Sequence, residues 1–332
     1  MSETPMNTSR RTGSRPKVLM VLSTGLTREQ FDEVRSAHPQ ADFIAADDDN
    51  VLDKVAGVNG LIGCPRKAFT DELLDRAGDS LQWVHASGAG VEHFIIPKFV
   101  ESDVILTNGR VIQGPEVADH ALALLLALTR NLHLVLKGES PRSMPRPIEL
   151  RGKTVLVVGL GGIGLLIAER AAAFGSRITA VSAGSLPPML AMLHRTYPPE
   201  ELDDALPDAD VVIVSAPLTS ATSAMFGEHQ FRLMKTTAYF VIVSRGGLVD
   251  TDALIHALQD GQIQAAGLDV TDPEPLPDDH PLRQFNNVII SPHTAGLSEH
   301  NRRRSFELIK TNVGRFVNGV APLNQVNKRL GY

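Results

Sequence analysis

A glycine-rich turn near the middle of the chain constrains the fold more than any other feature of the sequence. Thr154–Val158 contains four β-branched residues among five, as a buried parallel strand favours. Gly159, Gly161 and Gly164 follow with the spacing G-x-G-x-x-G, and Leu165–Phe174 consists mostly of good helix formers. Such glycines permit a tight turn, the approach of a pyrophosphate and close packing of helix on strand, and the free N–H groups at the helix start bind phosphate. Strand, glycine turn and helix in this order predict a dinucleotide-binding site.

Length and composition restrict the class of protein. The 332 residues suffice for two domains that each bury a core, and the formal net charge of −6 argues against a nucleic-acid or membrane-surface partner. The single cysteine, Cys64, excludes an intramolecular disulfide framework, and its apolar neighbours predict a buried thiol. Residues 1–16 lack an apolar segment and are expected to form a disordered tail, and Val117–Leu136 is too polar to span a membrane. We therefore expect a soluble, cytoplasmic protein.

Alternating strand and helix patterns predict two α/β units with parallel sheets. In the first unit, strands are predicted at 17–22, 42–45, 60–63, 81–85 and 104–107, and helices at 27–38 and 69–77. In the second, doubly wound unit, strands are predicted at 154–158, 177–181, 210–214, 238–243, 265–269 and 287–290. Long helices are predicted at 115–137 and 298–317, and three prolines make 138–147 a loop.

Three side chains with useful chemistry follow predicted strands of the second unit, where ligands of such sheets bind. They are Arg245, Glu274 and His293. A nicotinamide reduces a carbonyl by adding hydride to carbon, so a proton must reach the oxygen, and histidine is the best donor near neutral pH. A carboxylate at the other ring nitrogen favours the imidazolium form, and an arginine binds a carboxylate through two hydrogen bonds. Together with the dinucleotide site, these residues predict reduction of a 2-oxo acid.

Several stretches of the chain resemble the D-isomer-specific 2-hydroxyacid dehydrogenase family, over roughly residues 17–325. The resemblance includes the family's interdomain helix at 117–128, where Asp119 replaces the commoner glutamate. The other matching motifs are 158–164, 216–219, 244–250, 269–270 with 273–276, and 291–296. The family implies two doubly wound parallel-sheet α/β domains, with a Rossmann cofactor domain at 111–296 inserted into a flavodoxin-like substrate domain at 17–110 and 297–332. It also implies a homodimer and a D-2-hydroxy acid product.

The resemblance implies a role for each candidate site residue. Arg245 would bind substrate, Glu274 would tune the histidine, and His293 would be the acid/base. The substrate carboxylate would be held by backbone N–H groups of the loop Ser87, Gly88, Ala89 and Gly90, although a simple tight turn is the alternative there. The implied NAD(P) contacts are Gly159, Gly161, Gly162, Ile163, Gly164, Ser182, Pro217, Val243, Ser244, Arg245, Asp269 and Gly296. Asp269 would lie near the nicotinamide amide, and no metal site is expected.

The choice between NAD and NADP is left open by the sequence. By the family's spacing, Ser182 stands where an acidic residue would bind the ribose, and no Asp or Glu occurs between residues 169 and 200. Loss of that carboxylate removes the repulsion of a 2′-phosphate. The nearest cations do not directly follow Ser182 and are Arg177, His194 and Arg195. We expect NADP or dual use in preference to strict NAD.

Three other functions are compatible with the same fold. A non-enzymatic NAD(H)-sensing protein, such as the family's transcriptional corepressors, keeps the Arg, Glu and His, but this chain lacks long interaction tails and basic patches. A formate dehydrogenase relative carries glutamine where Glu274 stands. A phosphoglycerate dehydrogenase would need extra cations for its phosphate, for which Arg66 and Lys67 are the candidates. We expect the protein to oxidise NADPH or NADH with a small 2-oxo acid such as glyoxylate or hydroxypyruvate.

Overall fold

The computed structural model describes residues 15–140, 142–184 and 192–332. The chain divides into two compact units. Unit 1 contains the chain up to Ile112 together with Ser298–Tyr332, and unit 2 contains Gln113–Leu297. Each unit is built on a parallel β-sheet with apolar cores on both faces, which confirms the predicted fold class. The tail predicted at 1–16 lies outside the described residues except for Arg15 and Pro16.

Unit 1 is built around a five-stranded parallel sheet. The elements that precede unit 2 in the chain are strands β1 (Lys17–Val21), β2 (Asp42–Ala46), β3 (Gly60–Ile62), β4 (Trp83–His85) and β5 (Ile105–Thr107), and helices α1 (Arg28–Ala37), α2 (Val51–Lys54), α3 (Asp71–Ala77) and α4 (Pro97–Glu101). The strand order is β2-β1-β3-β4-β5, which is the flavodoxin-like order. Side chains of β1 alternate between two cores, with Leu19 and Val21 on one face and Val18 and Met20 on the other.

Unit 2 is built around a seven-stranded parallel sheet. Its elements are helices α5 (Gly114–Thr129), α6 (Leu132–Leu136), α7 (Gly162–Ala173), α8 (Leu202–Ala205), α9 (Glu228–Leu233) and α10 (Thr251–Gln259), and strands β6 (Thr154–Val158), β7 (Arg177–Val181), β8 (Leu193–Tyr197), β9 (Val211–Val214), β10 (Tyr239–Ile242), β11 (Ala265–Leu268) and β12 (Val288–Ile290). The strand order is β12-β11-β10-β9-β6-β7-β8. Because β6 pairs with both β7 and β9, the order reverses there, and open sheets bind ligands beyond the carboxyl ends of strands at such a switch point.

Helix α5 packs on the sheet at β10 and β11 and also against α7. Gly267 of β11 permits this approach, because an added Cβ would lie 3.1 Å from the Cβ of Leu124. The single helix predicted at 115–137 is wrong, since α5 ends at Thr129 and α6 begins after Asn131. Asn131 has a left-handed φ of 57°, which asparagine tolerates, and its side-chain amide donates to the carbonyl of Pro145 at 2.6 Å.

The chain returns to unit 1 as α11 (Asn301–Val317). Five of its side chains enter the core that contains Trp83 and are Phe306, Ile309, Val313, Phe316 and Val317. The helix begins later than predicted, because the Ser298 hydroxyl accepts the backbone N–H of Asn301 at 3.1 Å and completes a turn before the first helical residue. None of the helices within the described ranges is long and apolar enough to cross a membrane.

Candidate active site

The glycine turn joins β6 to α7 at the switch point of the unit 2 sheet. Gly159 has a φ of 95°, and an added Cβ would lie 2.5 Å from the backbone of Ala216, so both conformation and space require glycine there. A Cβ on Gly164 would lie 2.1 Å from the carbonyl oxygen of Gly159. The Ser215 hydroxyl donates to that same oxygen at 2.8 Å and holds the turn on β9. Strand, turn and helix are therefore packed directly on one another.

Open space lies in front of the first turn of α7. No atom of the described residues lies within 4 Å of a Cβ added at Gly161, which is the N-cap residue of the helix. Gly161 and Gly162 are exposed and Ile163 is half-buried. The first N–H groups of a helix have no partner within the helix, and its dipole favours an anion at this end. The residues present therefore fit the pyrophosphate of a dinucleotide.

Strand β8 lies at the edge of the sheet, next to β7 and close to Ser182, and the sequence pattern did not predict it. Ser182, just after β7, donates its backbone N–H to the carbonyl of Tyr197 at 3.0 Å. Arg195 of β8 has its guanidinium carbon 4.2 Å from the centre of the Tyr197 ring. Pro217 follows β9, and its carbonyl accepts the hydroxyl of Thr222 at 2.7 Å. Ser182 and Pro217 thus lie beyond the carboxyl ends of β7 and β9.

His293 and Glu274 are in direct contact, with Nδ1 of the imidazole 2.5 Å from Oε1 of the carboxylate. They follow the neighbouring parallel strands β12 and β11, and their side chains are 46% and 38% exposed. With Nδ1 engaged, Nε2 is the ring nitrogen left to exchange a proton with a bound molecule. The loop of Glu274 packs on the loop of Arg245, because a Cβ added at Gly246 would lie 2.1 Å from the carbonyl of Thr271.

Arg245 lies on the loop after β10 and is half-buried. Its Nη1 donates to the carbonyl of Ser244 at 2.8 Å. The start of the loop is held on β9, because the Val243 N–H and the Ser244 hydroxyl both donate to the carbonyl of Val214, at 3.2 and 3.5 Å. These contacts place all three residues beyond the carboxyl end of β10, on the same edge of the sheet as the glycine turn.

Asp269 is buried beneath the turn that carries His293 and is 1% exposed. Its carboxylate accepts the Ser291 hydroxyl at 2.7 Å and the backbone N–H groups of residues 294–295 at 3.0 Å each, and its carbonyl accepts the N–H of His293 at 2.9 Å. His120 Nε2 lies 3.3 Å from Oδ1. Burial raises the pKa of Asp269, but the hydrogen bonds from His120, Ser291 and the two N–H groups outweigh it and lower that pKa.

No role was expected for His120 or Ser291 from the sequence. Both lie within motifs that resemble the family, and the available signal was a histidine directly before the apolar run 121–128 of α5. Asp269 itself was expected near the nicotinamide amide, and in the structure both of its carboxylate oxygens are engaged by the protein. Gly296 ends the same turn, and a Cβ there would lie 3.0 Å from the side-chain amide carbon of Gln113.

The loop Ser87–Gly90 follows β4 in unit 1 and has its carbonyl groups turned toward the segment after β5. The carbonyl of Gly88 accepts the N–H of Gly109 at 2.8 Å, and the carbonyl of Ala89 accepts the side-chain amide of Asn108 at 2.6 Å. Within the described part of the chain, the backbone N–H groups of this loop donate no hydrogen bond, and the Ser87 Oγ is buried without a partner. Unpaired consecutive N–H groups suit a carboxylate.

Cys64 is buried, as predicted. Burial, followed by the charge of Asp48, raises the pKa of the thiol to about 12, so the nucleophilic thiolate is scarce at neutral pH. Across residues 15–140, 142–184 and 192–332, no group of three or more His, Cys, Asp and Glu side chains could hold a metal ion.

The fold and the site define an α/β oxidoreductase with a dinucleotide-binding unit, and comparison with known proteins specifies the family. The sequence model described as "D-isomer specific 2-hydroxyacid dehydrogenase, NAD binding domain" matches residues 122–295. The glyoxylate reductase of Thermofilum pendens is 33% identical over 271 residues, which is 78% of each chain. The D-3-phosphoglycerate dehydrogenase of Methanocaldococcus jannaschii is 31% identical over 84% of this chain and 53% of that protein.

A solved structure is also similar to this chain in both sequence and fold. The TT0316 protein of Thermus thermophilus is 31% identical, superposes with a TM-score of 0.76, and is matched over 93% of this chain and 99% of its own. The chain belongs to the D-isomer specific 2-hydroxyacid dehydrogenase family. It is therefore an NAD(P)-dependent 2-hydroxyacid dehydrogenase, as the motifs in its sequence indicated.

Proposed function

We propose that this protein reduces small 2-oxo acids to D-2-hydroxy acids with NADPH or NADH, and that His293 is its acid/base. The observation that carries the proposal is the 2.5 Å contact between His293 and Glu274 in the same unit as a glycine turn that fits a dinucleotide. A carboxylate at Nδ1 favours the imidazolium form, which can protonate the carbonyl oxygen from Nε2. A bound nicotinamide supplies the hydride.

Arg245 and the loop Ser87–Gly90 are proposed to bind the substrate. The guanidinium of Arg245 suits a planar carboxylate, and its loop packs on the loop of Glu274. The unpaired backbone N–H groups of Ser87–Gly90 suit a carboxylate, and the family resemblance assigns this loop to the substrate. Substrate recognition would then depend on a carboxylate next to the reacting carbonyl, and a 2-oxo acid has that arrangement.

Glyoxylate and hydroxypyruvate are the proposed substrates. Support comes from several relatives named glyoxylate reductase at 32–34% identity. A phosphate-bearing substrate is a weaker proposal, because the D-3-phosphoglycerate dehydrogenase relative is matched over 53% of its length. The formation of the D isomer rests on membership of the family.

For the cofactor, we propose NADP or dual use, with Arg195 in contact with the 2′-phosphate. Arg177 begins β7, whereas Ser182 follows the other end of that five-residue strand, which spans about 16 Å. The pairing of β7 with β8 shifts register at His194, which has no partner residue on β7, whereas Arg195 pairs with Thr179. Arg195 reaches the ring of Tyr197, whose carbonyl binds the N–H of Ser182. Arg195 is therefore the cation best supported near the ribose, and Ser182 presents no charge that would repel a phosphate.

The family resemblance also underlies a proposed homodimer in the cytoplasm. The short helix α6 carries Leu132, Val135 and Leu136, which are 50%, 56% and 88% exposed. A second copy of the chain would cover this apolar surface. Light scattering of the purified protein measures the oligomeric state, and a monomer at micromolar concentration would contradict a stable dimer.

Turnover of a substrate panel tests the enzymatic proposal. Oxidation of NADPH and NADH would be followed with glyoxylate, hydroxypyruvate, pyruvate and phosphohydroxypyruvate, and reduction of NAD and NADP with formate. We expect turnover with at least one small 2-oxo acid and none with formate, because Glu274 provides the partner for a protonated histidine. Cofactor binding without turnover of any substrate would contradict the proposal and favour the non-enzymatic NAD(H)-sensing alternative.

A further inference from the structure

A chain of polar side chains connects helix α5 to the turn that carries His293. Nε2 of His120 lies 2.8 Å from Oγ of Ser291 and 3.3 Å from Oδ1 of Asp269. The Ser291 hydroxyl lies 2.7 Å from the same Oδ1. His120 belongs to α5, Asp269 follows β11 and Ser291 follows β12, so the chain joins three elements of unit 2.

The contacts assign a direction to the hydrogen bonds along this chain. Asp269 is held as a carboxylate, because its hydrogen-bond donors keep its pKa low, and it can only accept. The single hydrogen of the Ser291 hydroxyl goes to Asp269. The Ser291 oxygen is then an acceptor, so the hydrogen in its contact with His120 comes from Nε2. His120 is therefore the first donor in the series of hydrogen bonds that runs through Ser291 to Asp269.

Asp269, at the other end of this series of hydrogen bonds, holds the backbone at His293 and at the two residues that follow it. The carbonyl of Asp269 accepts the N–H of His293 at 2.9 Å, and its carboxylate accepts those of residues 294–295 at 3.0 Å each. His293 itself has a left-handed φ of 53°, a conformation that non-glycine residues adopt only when their surroundings impose it. The hydrogen bonds to Asp269 are surroundings of that kind.

We propose that His120 is a positioning residue for His293. Its donor fixes the Ser291 hydroxyl and one oxygen of Asp269, and Asp269 then fixes the strained turn that directs the His293 ring at Glu274. Without that donor, the Ser291 oxygen would lack a donor and Oδ1 of Asp269 would lose one of its contacts, which weakens the hold of the buried carboxylate on the turn. The catalytic consequence rests on the proposed function of His293, whereas the structural consequence for the turn does not.

Two substitutions separate the donor from the bulk of the side chain. His120→Leu removes the donor and puts an apolar side chain of similar size in its place. His120→Gln, in contrast, keeps an N–H near the position of Nε2. His133→Leu is the matched control, because this half-buried histidine in α6 bonds the carbonyl of Ala127 at 3.1 Å and lies in the same unit. Ser291→Ala removes the middle of the chain by a smaller change, in case His120→Leu does not fold.

Steady-state kinetics and amide hydrogen exchange are the measurements. We expect kcat with glyoxylate or hydroxypyruvate to fall about 10- to 100-fold in His120→Leu, since small displacements of a catalytic group have effects of that size, while cofactor affinity is unchanged. His120→Gln should recover most of the loss. Exchange at residues 293–295 should accelerate in His120→Leu and Ser291→Ala, and remain as in wild type in His133→Leu.

The outcomes distinguish this proposal from the proposed function. Wild-type exchange at residues 293–295 in both His120→Leu and Ser291→Ala would overturn it, as would a His120→Gln variant as impaired as His120→Leu. If the wild-type protein turns over no 2-oxo acid, the proposed function fails, and the exchange measurement still decides whether His120 positions the turn.

Discussion

Nδ1 of His293 lies 2.5 Å from Oε1 of Glu274, although the two residues are 19 positions apart in the sequence. They meet because each follows a strand of the same parallel sheet, and β11 and β12 are neighbours whose carboxyl ends lie at one edge. The same edge carries Arg245 and the glycine turn. The His293–Glu274 pair and the candidate cofactor site are thus positioned by one sheet, within one unit of the chain.

Removal of either partner of this pair should impair turnover without impairing cofactor binding. We expect His293→Ala to lower kcat with the best 2-oxo acid by about 100- to 10,000-fold, the range of general acid catalysis. Glu274→Gln should cause a smaller loss, because the imidazole keeps a hydrogen-bond partner but loses the charge that favours imidazolium. Steady-state kinetics give kcat, and fluorescence titration gives the affinity for NADPH. Turnover in His293→Ala at the wild-type rate would remove this residue from the mechanism.

Substitutions in the glycine turn should separate folding from cofactor binding. A methyl group at Gly161 would project into open space, so Gly161→Ala should melt near the wild-type temperature but bind NADPH at least about 10-fold more weakly, because the methyl would occupy the proposed pyrophosphate position. Gly164→Ala would bring a Cβ to 2.1 Å from the carbonyl oxygen of Gly159 and should lower the melting temperature. Calorimetry and cofactor titration test both. Wild-type affinity in Gly161→Ala would contradict the assigned pyrophosphate site.

Arg195→Gln should change the preference between the two dinucleotides. Loss of a charged contact with a phosphate costs about 1.5–3 kcal/mol, which corresponds to about a 10- to 100-fold loss of NADPH affinity. NADH affinity should change little, since NADH has no 2′-phosphate. Arg177→Gln is the matched control at the other end of β7 and should leave both affinities unchanged. Equal losses for NADPH and NADH in Arg195→Gln would contradict a role in recognising the phosphate.

Lys328 should make stability depend on pH above neutrality. Its Nζ lies 2.7 Å from the carbonyls of Phe99 and Ser102, and burial lowers its pKa to about 8 despite the opposing charge of Asp103. The unfolded chain would release this proton near its ordinary pKa of about 10.4. Between these values the unfolded state binds more protons, so this group's contribution to the free energy of unfolding increases with pH.

Chemical denaturation of wild type and Lys328→Met measures this contribution. The difference between their free energies of unfolding should shift in favour of wild type as the pH rises from about 8 to about 10, and should be constant below about pH 7. Because the side chain is partly exposed, the shift should be smaller than the full difference in pKa implies. Parallel pH profiles for the two proteins would contradict the lowered pKa of Lys328.

Elements encoded by a local pattern were predictable from the sequence. The run of β-branched residues, the glycine spacing and the helix formers between Thr154 and Phe174 correspond to β6, the turn and α7. The break after α5 was not predictable, because Asn131 depends on a hydrogen bond to Pro145, 14 residues further along the chain. Strand β8 was missed for a similar reason, since its polar, exposed residues become a strand only by pairing with β7.

The sequence by itself determined the family, the fold class and the candidate acid/base residues, because these are encoded in residue types and short spacings. Only the tertiary structure decided which side chains hold that site in place. His120 and Ser291 are 171 positions apart in the sequence, yet Nε2 of the first lies 2.8 Å from Oγ of the second. Neither motif, taken alone, predicts that contact. The order of strands in the sheet and the packing of α5 upon it bring them together, and both result from the fold as a whole.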